Sequence, residues 1–267
     1  YLDQARFGDP RFGRIYLQAN KAIRWASSDH FYVQMQLSDL AAREGAEYFH
    51  AITGQCRLIC TNKRFLDFFQ EHHGVSFMEL VKMPAPHWAG NGGLDRVAYF
   101  QLYDFIDARR YSRAFNYLNS ALLRLQKFLK ITRFKSYSSI GGTFWGGLGY
   151  WSLHRSAMKR LLAHQLIRRP GYYHSLCAEE FIPHSILMND PFIQLHPESL
   201  VNCSLRYVHW ESSHGELPGI LDLSHLPILK EMGLLHAPNY PMLFARKFDS
   251  LISTDLVAHL PINPDQS

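Results

Sequence analysis

The sequence predicts an α/β domain. Segments of helical periodicity alternate with short apolar runs of strand character along the whole chain, the pattern of sheet strands interleaved with covering helices. The chain has 267 residues, enough for one domain with a substantial core. Nearly half of them (47%) are apolar and 14% are aromatic, which excludes a disordered chain. Charge or glycine breaks every apolar stretch before ~18 residues, so no membrane-spanning helix is predicted.

Taken in order, Tyr1-Leu2-Asp3 reads as the end of a strand and Ile15 to Trp25 as a weak strand region. Ser28 or Asp29 can cap a helix through Val33, Leu37, Leu40 and Ala41, which recur at helical spacing. Glu47 to Thr53 is a buried strand ending at Gly54, and Asn62 caps a helix through Phe65, Phe68 and Phe69 that Gly74 stops. Residues 84–93 have loop composition. Tyr111 to Ile131 is a long basic amphipathic helix, with Leu118, Leu122, Leu125 and Leu129 along one face and Arg113, Arg124, Lys127 and Lys130 on others. After the glycine run from Gly141 to Gly149 come a short strand near Trp151 and a helix from about Arg155. Glu179 to Met188 is a further helix ended by the Asn189-Asp190-Pro191 turn, and the loop-rich last third holds a strand at Leu205 to Trp210.

The formal charge of +5 suits an anionic ligand such as a nucleotide sugar, an anionic glycan or a lipid head group, and suits solubility equally well. Cys56, Cys60, Cys177 and Cys203 show no paired zinc spacing and are too few for a disulfide scaffold, so they are expected as reduced thiols. The chain opens without an initiating Met or a secretory leader, so it is expected to begin inside a longer protein or to have been trimmed.

Several segments carry groups that chemistry can use. Glu179 and Glu180 precede an apolar run. Acids at a helix start are favoured by the macrodipole whatever else they do, and the residues alone favour that reading. Arg246-Lys247 puts two cations between Phe244 and Phe248. Trp145, Trp151 and Trp210 offer faces for sugar stacking, though tryptophan is more often core. The glycine run matches neither phosphate-loop nor dinucleotide patterns. No Asp-x-Asp occurs, and the histidines show no metal spacing, so any departing diphosphate would be neutralised by lysine and arginine.

These segments fall in the order of one family's motifs. The sequence resembles the core-2/I-branching β-1,6-N-acetylglucosaminyltransferases (glycosyltransferase family 14, bacterial branch), which are related to xylosyltransferases. Tyr1-Leu2-Asp3 resembles the end of the family's second strand, Trp25-Ala26-Ser27 its aromatic-Ala-Ser segment and Thr53-Gly54-Gln55 its Ser/Cys-Gly motif. Phe77 to Pro84 is similar to the segment bearing an acceptor-binding Glu, and Arg96 to the arginine that follows. Tyr150 to Arg155 resembles the strand leading into a Ser-Arg helix, Ala178-Glu179-Glu180 the Pro-Asp-Glu motif, Leu205 to Trp210 a strand ending in an acceptor-binding Trp, and Phe244 to Asp249 the Phe-Ala-x-Lys-Phe-Asp motif. The sequence departs from the family at Cys56 (usually Asp), at Arg57-Leu58 (usually an aromatic-Pro pair) and at Ser212 (usually an aromatic). A second diphosphate-binding arginine has no counterpart between Gly215 and Leu226, and the family's first strand and helix would precede Tyr1.

The resemblance implies a single GT-A-like domain over 1–267, a mixed sheet flanked by helices, with a donor-nucleotide part (1–75) and an acceptor and catalytic part (76–267). It implies Glu180 as base, reversing the reading from the residues alone. It also implies Asp3, Trp25 and Lys247 on a UDP-sugar donor, where Arg246, beside the matched lysine, is expected to stand in for the missing arginine, and Glu79, Arg96 and Trp210 on a glycan or glycolipid acceptor. No metal and no nucleic acid is implied. The expected setting is the bacterial cytoplasm or the inner-membrane surface, or the Golgi lumen in a eukaryote. The basic helix offers a peripheral membrane contact, against a default of an ordinary solvated face. Two rivals remain: a non-catalytic nucleotide-sugar or carbohydrate-binding protein of the same fold, and a nucleic-acid-binding domain suggested by basicity alone.

Overall fold

The first helix, α1 (Asp29–Arg43), begins where predicted, but its start is fastened differently. The Ser28 side chain does not cap it; the Ser28 N–H and Oγ donate to the Asp104 carboxylate (2.8 and 2.6 Å) and anchor the helix to a distant loop. Its buried residues are Asp29, Phe31, Met35 and Ser38, not the predicted Val33, Leu37 and Leu40 stripe. The computed structural model describes residues 22–168, 172–212, 218–234 and 240–261, so the predicted strand at Tyr1 to Asp3 and most of that at Ile15 to Trp25 lie outside the described residues. Residues 22–25, the described end of the second stretch, form no strand.

The chain continues through β1 (Tyr48–His50), β2 (Cys56–Leu58), α2 (Asn62–Glu71), β3 (Ser76–Met78) and β4 (Val81–Lys82). The cap of α2 is Thr61, whose hydroxyl accepts the Arg64 N–H. The stretch 84–93 predicted as loop holds one irregular helical turn, α3 (Ala89–Gly92), and α4 (Leu94–Ala98) follows directly after it. Then follow α5 (Ser112–Phe128), β5 (Trp145–Gly146), β6 (Ser152–His154), α6 (Arg155–Ala163), α7 (Gln165–Arg168), α8 (Ile182–Met188) and α9 (Pro191–Leu195). The Asn189-Asp190-Pro191 turn ends α8 and also starts α9, because the Asp190 carboxylate accepts the Phe192 and Ile193 N–H groups. Last come β7 (Leu200–Asn202), β8 (Arg206–Val208), α10 (Leu226–Gly233), β9 (Phe244–Arg246) and α11 (Thr254–Ala258).

The fold is mixed α/β. One sheet has the order β1-β6-β3-β7, antiparallel except for the parallel β3/β7 pair. A second has the order β2-β9-β8, with β8 and β9 parallel. β4 and β5 form a ribbon. Adjacent residues of β3 face opposite ways. Met78 joins a large core under α1, α6 and α8, with Phe31, Leu153, Leu161, Phe181 and Trp151. Phe77 meets Phe68 and Phe69 of α2 and Phe244 of β9 in a second core. A third core lies beneath α10 and α11 around Leu221, Leu229, Ala245 and Leu256.

Arg206 ties the two sheets together. From β8 its fully buried guanidinium donates to the carbonyls of Ala51 (3.1 Å) and Trp151 (2.9 Å) at the ends of β1 and β6. Burial lowers its pKa to about 9. The predicted leucine face of α5 is corrected: Phe115, Asn119 and Gln126 face inward, while Leu118, Leu125 and Leu129 are exposed.

Candidate carboxylate site

The Ala178-Glu179-Glu180 segment is a single 3₁₀ turn, entered through Cys177 in a left-handed conformation and separated from α8 by Phe181. The two acids therefore do not sit in the first turn of α8. Glu180 forms an ion pair with Arg96 from α4, whose guanidinium also lies over the Trp88 ring at 4.6 Å. Burial works against the Arg96 charge, but Glu180, Cys177 and Glu179 more than offset it and raise its pKa above the ordinary value.

Glu79, between β3 and β4, faces this pair. Burial first and the Glu180 charge second raise its pKa, with His87 acting in the opposite sense. Glu179 is strongly perturbed: burial and the Glu180 charge push it up to about 8, and its Oε2 is buried with no hydrogen-bond partner. It was expected to face the helix dipole or solvent. Instead its side chain is folded against Gly149.

The glycine run is what allows this convergence. Gly147 donates its N–H to the Glu180 carbonyl at 3.0 Å. A Cβ on Gly147 would stand 2.1 Å from the Glu79 carbonyl oxygen, and one on Gly149 2.7 Å from the Glu179 Cγ. Gly149 is held from the other side by Gln34, which donates to its carbonyl at 2.9 Å. The sequence signal was present, since clustered glycines outside a phosphate-loop pattern mark close backbone approach.

A cation completes the surroundings. Arg246, at the end of β9, donates to Thr53 Oγ1 at 2.6 Å and lies over the Tyr150 ring at 4.8 Å. Tyr150 senses both Arg246 and the two acids, and burial raises its pKa to about 12. Tyr150 thus lies against a guanidinium and within electrostatic range of the carboxylates. Lys247 follows, buried, its carbonyl accepting the Leu221 N–H at 2.8 Å.

The remaining expected residues are spread around this centre. Trp25 is half-exposed, 6.0 Å from Tyr103 and under Arg109. It is joined to the site through the backbone, where the Cys177 N–H donates to the Ala26 carbonyl at 3.0 Å. Trp210 is 60% exposed, two residues beyond Val208, which pairs with Arg246. Among the described contacts it stands apart from the acids. Trp151 is core and Trp145 packs against it. Asp3 lies outside the described residues. The structure therefore brings Glu79, Arg96 and Glu180 together, sets Arg246 against Tyr150 nearby, and adds Glu179, Trp88 and Tyr150.

Cys177, Glu179 and Glu180 each offer a ligand atom within 4.8 Å of the others. A cation would gain little there: the Arg96 guanidinium already engages Glu180, and burial raises the pKa values of both Cys177 and Glu179, which favours their protonated forms. The four cysteines are free thiols. Among the described residues, no helix is long and apolar enough to cross a membrane. No protein-family model matches the chain, and no curated protein matches it.

Proposed function

We propose that the chain is an inverting, metal-independent glycosyltransferase of GT-A-like architecture. It would move a sugar, N-acetylglucosamine first and xylose second, from a UDP-sugar to a glycan or glycolipid hydroxyl. The observation that carries this reading is that Tyr150 lies against the Arg246 guanidinium and within electrostatic range of the Glu179-Glu180 carboxylates, so that a cation and an acid cluster share one neighbourhood. Transfer needs a base at the acceptor hydroxyl and positive charge at the departing diphosphate.

Of the three acids, Glu180 is the one in contact with a guanidinium, whereas Glu79 and Glu179 are pushed toward their protonated forms. Glu180 takes the acceptor hydroxyl proton. The oxygen attacks the anomeric carbon as the bond to UDP breaks, and the electron pair leaves on the diphosphate. Arg246, oriented by Thr53, and Lys247 neutralise that charge. A single displacement inverts an α-linked donor to a β-linkage. Arg96 fixes one oxygen of Glu180 and leaves the other for the acceptor, and Glu79 offers its carboxyl group for a hydrogen bond with the sugar.

The test is UDP release from a panel of UDP-sugars in the presence of EDTA. Turnover of one donor in chelator supports the reading, and activity that appears only on adding manganese contradicts it. UDP binding with no turnover of any donor or acceptor would favour a non-catalytic binding protein. Lys247→Ala should weaken UDP binding by roughly 1.5–3 kcal/mol if a charged hydrogen bond is lost.

A further inference from the structure

Helix α5 is built inside out. Its polar side chains Asn119 and Gln126 are buried, where they serve backbone groups of the 100–102 segment: Asn119 Oδ1 accepts the Leu102 N–H (3.0 Å) and Gln126 Oε1 accepts the Phe100 N–H (2.9 Å). Of its large apolar side chains Phe115 is buried, but four others point away. Tyr117 is 75% exposed, Phe128 82%, Leu125 53% and Leu118 47%. Tyr117, Ala121, Leu125 and Phe128 follow one another at spacings of three and four residues, and so share one face. A groove runs along that face, bordered by Arg124. A contiguous exposed apolar face of this kind marks an interaction surface, not an ordinary solvated helix.

The charge along this stretch of the sequence is of one sign. Residues 109–135 contain eight lysines and arginines and no acid, and the next acid after Asp107 is Glu179. Arg113 and Arg124 lie on α5 beside the aromatic face and are exposed. Lys130 and Lys135, just beyond the helix, are exposed as well. An apolar strip with an aromatic at each end and a basic margin is the surface that lies in the plane of an anionic bilayer, with apolar groups among the acyl chains and cations at the headgroups.

We propose that α5 docks the protein on anionic lipid membranes, with Tyr117, Leu125 and Phe128 inserted and Arg113 and Arg124 on the headgroups. The helix is tied to the carboxylate site, because Lys127 pairs with Asp95 (2.7 Å), the residue before Arg96. The docking itself does not depend on the transferase reading.

Co-sedimentation with vesicles of phosphatidylcholine, with and without phosphatidylglycerol, tests it. The protein should bind the anionic vesicles and bind neutral ones much less. Combining Tyr117→Ser, Leu125→Ser and Phe128→Ser should cut binding by at least about tenfold, with the melting temperature unchanged because the three side chains are already exposed. Arg113→Glu with Arg124→Glu should cut binding to anionic vesicles by about thirtyfold or more. Failure to bind either vesicle, or binding that survives both sets of changes, would overturn the proposal. So would a concentration-dependent dimer in light scattering that the triple serine variant abolishes without any vesicle binding, since the occupant would then be a second copy of the chain.

Discussion

Glu179 and Glu180 are neighbours in sequence but differ in surroundings: one has a buried oxygen without a partner, the other an arginine. The raised pKa of Glu179 has a consequence for stability with a definite sign. Its ordinary value is 4.5 and its folded value about 8. Between these the folded state keeps a proton that the unfolded chain has released. The stability it contributes is full below the ordinary value and is lost as pH rises through the window to about 8, by at most about 1.4 kcal/mol per pH unit. Glu179→Gln, which cannot ionise, should gain in melting temperature over the parent as pH rises from 5 to 8. Parallel pH profiles would mean that Glu179 titrates alike in both states. That an acid pair lies at 179–180 was plain in the sequence. Which acid faces Arg96 was not, because the helix reading placed both in a first turn that the left-handed Cys177 and the break at Phe181 do not allow.

At the scale of elements, the glycine strand decides whether the site exists. Gly147→Ala forces a Cβ onto backbone atoms of Glu79, which cannot rotate away. It should cost several kcal/mol or displace Glu79, on the scale of severe core overpacking. Gly54→Ala meets nothing within 4 Å and is the matched control, expected within about 0.5 kcal/mol of the parent. Urea unfolding of the two variants checks this; equal stabilities would show that the glycine strand is not tightly threaded. Helix α5 shows how far periodicity reaches. Its leucine spacing located the helix to within one residue at its start and three at its end, yet put the wrong face inward. Asn119 and Gln126 are drawn inside by the unpaired backbone groups at Phe100 and Leu102, a demand no local pattern reveals.

Across the whole molecule, Arg206 joins the two sheets, and nothing in its sequence setting sets it apart from a surface arginine. Arg206→Met should cost roughly 2–5 kcal/mol, because buried carbonyls lose a charged donor. Denaturant unfolding measures it, and a shift under about 0.5 kcal/mol would mean that the sheets hold together without it. Two histidines shielded from water, the partly buried His50 and the fully buried His184, contribute to the loss of stability in acid. Burial lowers His50 and His184 to about 3, far below the ordinary 6.5. Their stability is present above 6.5 and lost as pH falls toward 3, so the parent should melt progressively lower on acidification over that range. His50→Phe should flatten part of that fall, and a profile unchanged in the variant would exclude His50 as a source. The alternation of helices and strands was legible through the middle of the chain, but the last third, read as loop-rich with one strand at Leu205 to Trp210, also holds α9, β7, α10, β9 and α11. The pairing of strands was not legible, since β2 finds β9 across the length of the chain.

The account rests on Glu180 as the base of a metal-independent transfer. The direct measurement is turnover of UDP-N-acetylglucosamine in EDTA by Glu180→Gln and Glu179→Gln beside the parent, with UDP affinity read by calorimetry. Glu180→Gln should bind UDP as the parent does and lose turnover by about 10²–10⁴-fold, while Glu179→Gln keeps most of it. Full turnover in Glu180→Gln would contradict the account.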